Sequence, residues 1–414
     1  MVKSSERFRI FIWTLFDFAN TSYSITIVTF LYAVYFKKVV ANNEPAGDLY
    51  WSIATSSAMI VTAILSPILG AISDHSAGKK RFLLFFTIIC VVFTAALFGV
   101  EQGDIFLGIL FFVLANIGFE AGLVFYDSFL PEITTPKNYG RVSGYGFAMG
   151  YVGSLTTLII LFPFIEKNLI RESFLISAMF FAIFATPLFI FLQDNRRPML
   201  KPQSYIKTGW NRVSYTISHL KNYKNLSRFL LAYFFYIEGV NTIIFFAGNY
   251  ASTTLKFTEL ELIAFFATVQ TTAIIGSVLL GIAADSLGQK KTIYISLYVW
   301  LVTIALALFT ETKEGFYVVG LLAGTAMGAS QSTSRSLMSK LTPVDKRTEF
   351  FGFYSLFGKS SAIIGPLVFG IISVITHNQK LSILSVGVFF IIGMYLLKDV
   401  KDNIPAEQSE QVTG

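Results

Sequence analysis

Twelve times along this chain, about 20 residues pass with almost no charge, long enough each time to cross a hydrocarbon core of ~30 Å. The runs fall near residues 10–36, 50–72, 82–100, 105–129, 142–165, 173–192, 228–250, 261–284, 292–310, 316–339, 350–375 and 381–397. A segment in lipid must satisfy its own backbone hydrogen bonds, so runs of this length are helices. The bulk composition agrees. Only 14% of the residues are charged, against about 25% in a soluble domain, too few to cover a water-facing surface.

Six runs precede the polar segment 193–227 and six follow it. The expectation is an all-α membrane protein with an N-terminal six-helix bundle over 1–192, a linker over 193–227, a C-terminal six-helix bundle over 228–398 and a disordered tail over 399–414. In the linker, Trp210, Val213, Ile217 and Leu220 recur at helical spacing among basic residues. That pattern fits a helix lying on the membrane surface. A plain charged linker fits it too.

Basic residues orient the chain. With the N-terminus in the cytoplasm, the loops on the far side hold Lys37, Lys38, Lys167, Arg171, Lys256, Lys313 and Lys380. Arg335 and Lys359 fall within runs, and the rest of the 32 basic residues are cytoplasmic. That asymmetry places both termini inside. It also accounts for the formal charge of +7 without nucleic acid as a partner. The first run is too long for a signal-peptide core and lacks a small-residue cleavage site, so it is expected to stay as a span.

One phrase is written twice. GAISDHSAGKKR begins at Gly70 and GIAADSLGQKK at Gly281, 211 residues on, each closing an apolar run. The residues concerned are Gly70, Asp74, Gly78, Lys79 and Lys80, and then Gly281, Asp285, Gly288, Lys290 and Lys291. Two further pairs follow the same order. Asp17 and Asn20 in the first run answer Glu238 and Asn241 in the seventh. Asp127 in the fourth answers Arg335 in the tenth. Three matches in sequential order support a parallel six-plus-six repeat.

The doubled Gly-Asp-Gly-basic loop resembles the signature loop of the major facilitator superfamily. The phrases WTLFDFANTSY, YDSFLPEI, GRVSGYGFAMGYVGS and QSTSRSLMSKLTP resemble, more narrowly, its vacuole-effluxer-like branch, which includes a fungal vacuolar amino-acid exporter. The resemblance implies two bundles that rock about a central cavity lined by the first, fourth, seventh and tenth helices. It also implies that each loop docks on a helix start from the other half: Asp74 near Gly352, and Asp285 near Arg141. Such contacts would hold the cytoplasmic side closed. Plain tight turns, with lysines that merely follow the charge rule, are the simpler alternative.

Six ionisable residues stand out in the interior of runs, where each costs roughly 2.5–3.5 kcal/mol on insertion scales. At ~1.5 Å per residue, Asp17, Glu120, Glu238 and Lys359 fall near mid-membrane, and Asp127 and Arg335 nearer the cytoplasmic end. The acids can accept protons or bind an amine. Arg335 and Lys359 can meet a carboxylate. Asn20, Asn241 and Gln331 add hydrogen-bonding groups. Ion pairing between helices, such as Glu120 with Lys359, or bonding of Asp17 and Glu238 to their own helices, is the structural alternative. Gly146 and Gly150, and Gly320, Gly324 and Gly328, are spaced for close helix packing.

Other chemistry is excluded. Cys90 is the lone cysteine, and His75, His219 and His377 stand far apart, so neither a disulfide nor a metal site is expected. No GxxxxGK[ST] is present, no catalytic pair is recognisable, and no cofactor is expected. The reading is a secondary active transporter, not an enzyme, with a small polar or zwitterionic solute, protons and the lipid bilayer as partners. It acts as a monomer in a bacterial cytoplasmic membrane. An amphiphile carrier and a transport-inactive receptor or scaffold are the rivals.

Overall fold

The computed structural model describes residues 5–76, 78–194, 204–376 and 379–402. Among them the chain is helical, with no strand. α1 (Glu6–Tyr23) starts at Ser5, whose hydroxyl accepts the Phe8 N–H at 3.3 Å. The helix then widens into π turns over Ser24–Phe30 and Phe36–Val40, on either side of α2 (Leu31–Tyr35). Residues 25–29 are all β-branched, which crowds a regular α-turn.

The remaining helices are α3 (Ala46–Ser76), α4 (Lys79–Ala96), α5 (Ile105–Asp127), the short α6 (Leu130–Ile133), α7 (Tyr139–Glu166), α8 (Ile170–Phe191), α9 (Tyr205–Ser218), α10 (Lys224–Thr253), α11 (Glu259–Leu287), α12 (Gln289–Phe309), α13 (Lys313–Leu341), α14 (Arg347–Thr376) and α15 (Gln379–Leu397). Their starts are chemically marked. Thr258 and Glu261 form a reciprocal capping box before α11, and the Thr312 hydroxyl accepts the Gly315 N–H at the head of α13.

Among the described residues nine helical stretches are long and apolar enough to cross a membrane, from Glu6–Val40 to Gln289–Phe309. The sequence suggested twelve. The last three runs are helical as well, as α13, α14 and α15. α13 is as long as its neighbours but polar, and its Ser330, Ser332, Thr333, Ser334, Arg335, Ser336 and Ser339 are all buried. Large apolar side chains face outward instead, among them Phe309 at 85% exposure and Phe106 at 75%. A chain with polar groups inside and such apolar groups outside is arranged for lipid.

Contacts gather the described residues into two units. The first takes those within Met1–Phe129, Met149–Val213 and Thr348–Gly352. Here α4 lies along α5 and α8, α5 along α3, and α1 along α8. The second takes those within Leu130–Ala148, Ser214–Arg347 and Phe353–Gly414. Here α12 lies along α13 and α15, α13 along α11, and α10 along α15. Two short stretches group with residues far from them in sequence: the head of α7 with the second unit, and residues 348–352 of α14 with the first.

In the polar segment, α9 is helical, while residues 195–203 lie outside the described residues. Val213 and Thr216 of α9 are buried, whereas Ile206, Trp210 and Ile217 are exposed. Of the stretch 399–414, expected to be a disordered tail, residues 399–402 are described. Asn225 bonds both the carbonyl and the N–H of Lys401, at 2.8 and 2.7 Å, and Asp402 is held as described below. Residues 403–414 lie outside the described residues.

Candidate gate and pathway residues

The two aspartates of the repeated phrase do the same thing in different places. Asp74, at the end of α3, accepts the N–H groups of Thr348 at 3.1 Å and Glu349 at 2.8 Å. These N–H groups lie in the first turn of α14, where a helix offers them no acceptor of its own and its dipole favours an anion. Asp285, at the end of α11, accepts the N–H groups of Gly140 at 2.7 Å and Arg141 at 3.2 Å, in the first turn of α7. The Arg141 guanidinium adds a charged bond to Asp285 at 2.6 Å.

Glycines allow both approaches. A Cβ on Gly70 would overlap the Thr348 carbonyl, and one on Gly352 would stand 2.6 Å from the Pro67 Cα. On the other side, a Cβ on Gly281 would stand 2.7 Å from the Gly140 carbonyl oxygen, and one on Gly144 would overlap the Ser277 carbonyl. Each aspartate therefore sits beside a crossing of nearly bare backbone. The later glycine of each phrase has another task. Gly78 and Gly288 take φ of 77° and 95° to start α4 and α12, a region open to glycine at little cost.

The basic residues reach helix ends. Lys79 is buried and donates to the Ser128 carbonyl at 2.7 Å, with its ammonium 4.8 Å from the Phe129 ring centroid. Lys80 donates to the Leu192 carbonyl at 2.6 Å. Lys290 donates to the carbonyls of Lys398 at 2.6 Å and Val400 at 2.8 Å. Lys291 is exposed.

Two acids complete these loops and were missed from sequence. Asp194 accepts the Lys80 N–H at 3.0 Å, and Asp402 accepts the Lys290 N–H at 3.1 Å and the Lys340 ammonium at 2.7 Å. A signal existed. Asp194 and Asp402 each follow the last run of their half and lie 208 residues apart, the spacing that separates Asp127 from Arg335.

The buried acids answer each other less faithfully. Asn20 donates to Asp17 within α1 at 3.5 Å. Glu238 instead accepts the Gly365 N–H from α14, and Asn241 donates to Ser361 on α14 at 3.3 Å. Glu238 and the neighbouring Thr242 are fully buried, and among the described residues the Glu238 Oε2 and the Thr242 hydroxyl find no hydrogen-bond partner. Glu120 is 5% exposed on α5, whose Asn116 accepts the Tyr23 hydroxyl at 3.3 Å. Asp127, Gln331 and Lys359 are partly buried. Arg335 is 2% exposed and donates to both oxygens of Ser143 on α7. Among the described residues, no group of three or more metal-binding side chains gathers.

Long apolar helices, buried charges and doubled Gly-Asp loops that cap helix starts define a multi-pass membrane transporter of the major facilitator superfamily. The solved structures agree on the fold. The human organic anion transporter MFSD10 (TETRAN) matches with a TM-score of 0.77 over 95% of this chain and 100% of its own, at 14% identity. The proton:xylose symporter XylE matches with a TM-score of 0.77 over 99% and 100%, at 13% identity. The family model described as "Vacuole effluxer Atg22 like" covers residues 49–140 and 135–403, and the chain belongs to that family. An uncharacterized MFS-type transporter of Bacillus subtilis (strain 168), YxiO, is 32% identical over 96% of both chains. Autophagy-related protein 22 of Kluyveromyces lactis is 24% identical over 83% of this chain and 79% of its own. These relatives and structural neighbours are transporters, not enzymes.

Proposed function

We propose that this chain is a secondary active transporter that moves a small zwitterionic solute, an amino acid or short peptide, by alternating access and with protons. The observation that carries the reading is the pair of aspartate caps, Asp74 on the head of α14 and Asp285 on the head of α7. Each ties a loop from one half of the sequence to a helix of the other half. Bonds of this kind can be broken and remade without refolding a helix. The full reading is twelve membrane helices in two six-helix bundles, 1–192 and 228–398, with both termini in the cytoplasm and a single chain sufficient for transport. The matching order of helix neighbours in the two units supports the repeat.

In this reading the aspartate caps close the cytoplasmic side. Gly70 and Gly281 give them room, Gly78 and Gly288 turn the chain into the next helix, and Lys79, Lys80, Arg141, Lys290 and Lys291 surround them. Asp17, Glu120, Glu238, Arg335 and Lys359 supply both signs of charge within the membrane, which suits a zwitterion. Asn20, Asn241 and Gln331 contribute hydrogen bonds, and Asp127 lies at the cytoplasmic end of the pathway. The relatives described as vacuole effluxers support export as the direction, and the bacterial relative supports a bacterial cytoplasmic membrane. The test is transport in proteoliposomes with an internal pH dye and a panel of amino acids and dipeptides. Solute-driven proton movement is expected; solute movement that leaves the internal pH untouched sinks the coupling.

A further inference from the structure

The guanidinium of Arg335 is held as if it already gripped a carboxylate. Its Nε donates to the Ser143 hydroxyl oxygen at 3.0 Å and its Nη2 to the Ser143 carbonyl oxygen at 2.9 Å. One edge of the fork thus meets two oxygens of a single residue, the arrangement in which arginine takes a carboxylate with two parallel bonds. The Ser143 hydroxyl donates its own proton to the Ser332 carbonyl at 2.7 Å, so its oxygen is left to accept from Arg335. The guanidinium carbon also lies 4.1 Å from the Phe147 ring centroid, one turn along α7, within cation–π range. α13 therefore grips the head of α7 just inside the Asp285 cap.

Resting on the alternating-access reading, we infer that Arg335 is a specificity-determining residue whose Nε–Nη2 edge exchanges the two oxygens of Ser143 for a carboxylate of the solute. When the head of α7 moves away, that edge loses the two Ser143 oxygens together. A carboxylate restores two charged bonds. A carboxamide restores one neutral acceptor and brings an NH₂ group that faces another donor. The exchange links recognition to opening, because the solute replaces the contact that holds α7 shut.

The experiment uses the full chain in detergent, with leucine, dileucine and hexanoate as carboxylate probes, each beside its carboxamide. Dissociation constants and hydrogen exchange at amides 139–148 are measured for the wild type, Ser143→Ala and Arg335→Lys. Ser143→Ala removes one of the two internal acceptors, and unchanged hydrogen exchange outside 139–148 checks that the fold is kept. The variant should tighten the carboxylate probe and its carboxamide alike, by about fivefold, the scale of one net hydrogen bond, because either must displace the same Ser143 contact. In the wild type the carboxylate should speed exchange at 139–148 more than its carboxamide does. Arg335→Lys should lose the preference. An unchanged carboxylate affinity in Ser143→Ala, a carboxylate preference that survives in Arg335→Lys, exchange that ignores the carboxylate, or no binding of any carboxylate probe overturns the inference. None of these touches the transport reading, which the proteoliposome assay decides with any solute. Conversely, carboxylate-driven opening without proton movement leaves the Arg335 exchange standing.

Discussion

Asp285 and Arg141 meet twice: the carboxylate accepts the backbone N–H of Arg141 at 3.2 Å and its guanidinium at 2.6 Å. The carboxylate is 2% exposed, while the arginine is 43% exposed. The acid is thus the buried partner, and the arginine reaches it from the solvent side. A buried carboxylate that collects several N–H donors is worth more than a surface ion pair. Two consequences follow for variants. Asp285→Ala should cost about 2–3 kcal/mol, the range for lost hydrogen bonds to a charged group. Arg141→Ala should cost less, because the Gly140 N–H still occupies the carboxylate. Thermal unfolding in detergent measures both, and equal losses would contradict the ranking.

Asp74→Ala should open the same side from the other loop. It strips two N–H groups at the head of α14 of their acceptor. Thiol labelling of cysteines placed near the expected cytoplasmic ends of α3 and α14 should rise in the variant. Unchanged labelling would remove the gate role from Asp74 and leave it a helix cap.

The glycine crossings should tolerate no side chain. Gly144→Ala and Gly352→Ala each add a methyl group where another helix's backbone already stands. Overpacking of this kind costs about 1–3 kcal/mol. Here the strain is relieved if the crossing opens, so the expected sign is higher thiol labelling at the gate with only a modest fall in unfolding temperature. A large fall with no change in labelling would make these crossings purely structural.

Asp17→Asn and Glu238→Gln should separate solute movement from proton movement. Each keeps the shape of the side chain and removes the group that binds a proton. Expression and unfolding temperature should hold, while solute-driven acidification in proteoliposomes is lost. Normal coupling in both variants would take these two residues out of the proton path.

Asp402→Ala should loosen the loop that carries Asp285. It removes the acceptor of the Lys290 N–H and the partner of Lys340 in a half-buried ion pair. A cost of about 1–3 kcal/mol is expected, with Asp194→Ala as its counterpart at Lys80. Hydrogen exchange at residues 286–291 reads the first and at 78–81 the second. Protection unchanged in both would mean that the lysine ammoniums alone hold these loops.

Much of this was legible along the chain. Helix positions follow from the length of the apolar runs, and α13 still shows as a run near 316–339 although its buried serines make it polar. The doubled phrase marked Asp74 and Asp285, because a tight turn with a glycine and an acid leaves a local trace. Asp194 and Asp402 were passed over because one acid after an apolar run looks like ordinary loop polarity. Contacts such as those with the Lys80 and Lys290 amides, set by the fold, give each of them a task.

The residue pairs Asp17–Asn20 and Glu238–Asn241 show where linear reading stops. Their spacing is the same, yet Asn20 turns to its own helix while Glu238 and Asn241 turn to α14. The sequence alone determined the membrane class, the run of helices and the existence of two matched loops, since hydrophobic length and glycine turns are local properties. The tertiary structure alone decided what each charge touches: Arg335 on Ser143, Asp402 on Lys340, Asp285 on the head of α7. Those partners lie from 62 to 192 residues apart, and which of them meet depends on the packing of whole helices rather than on any spacing along one.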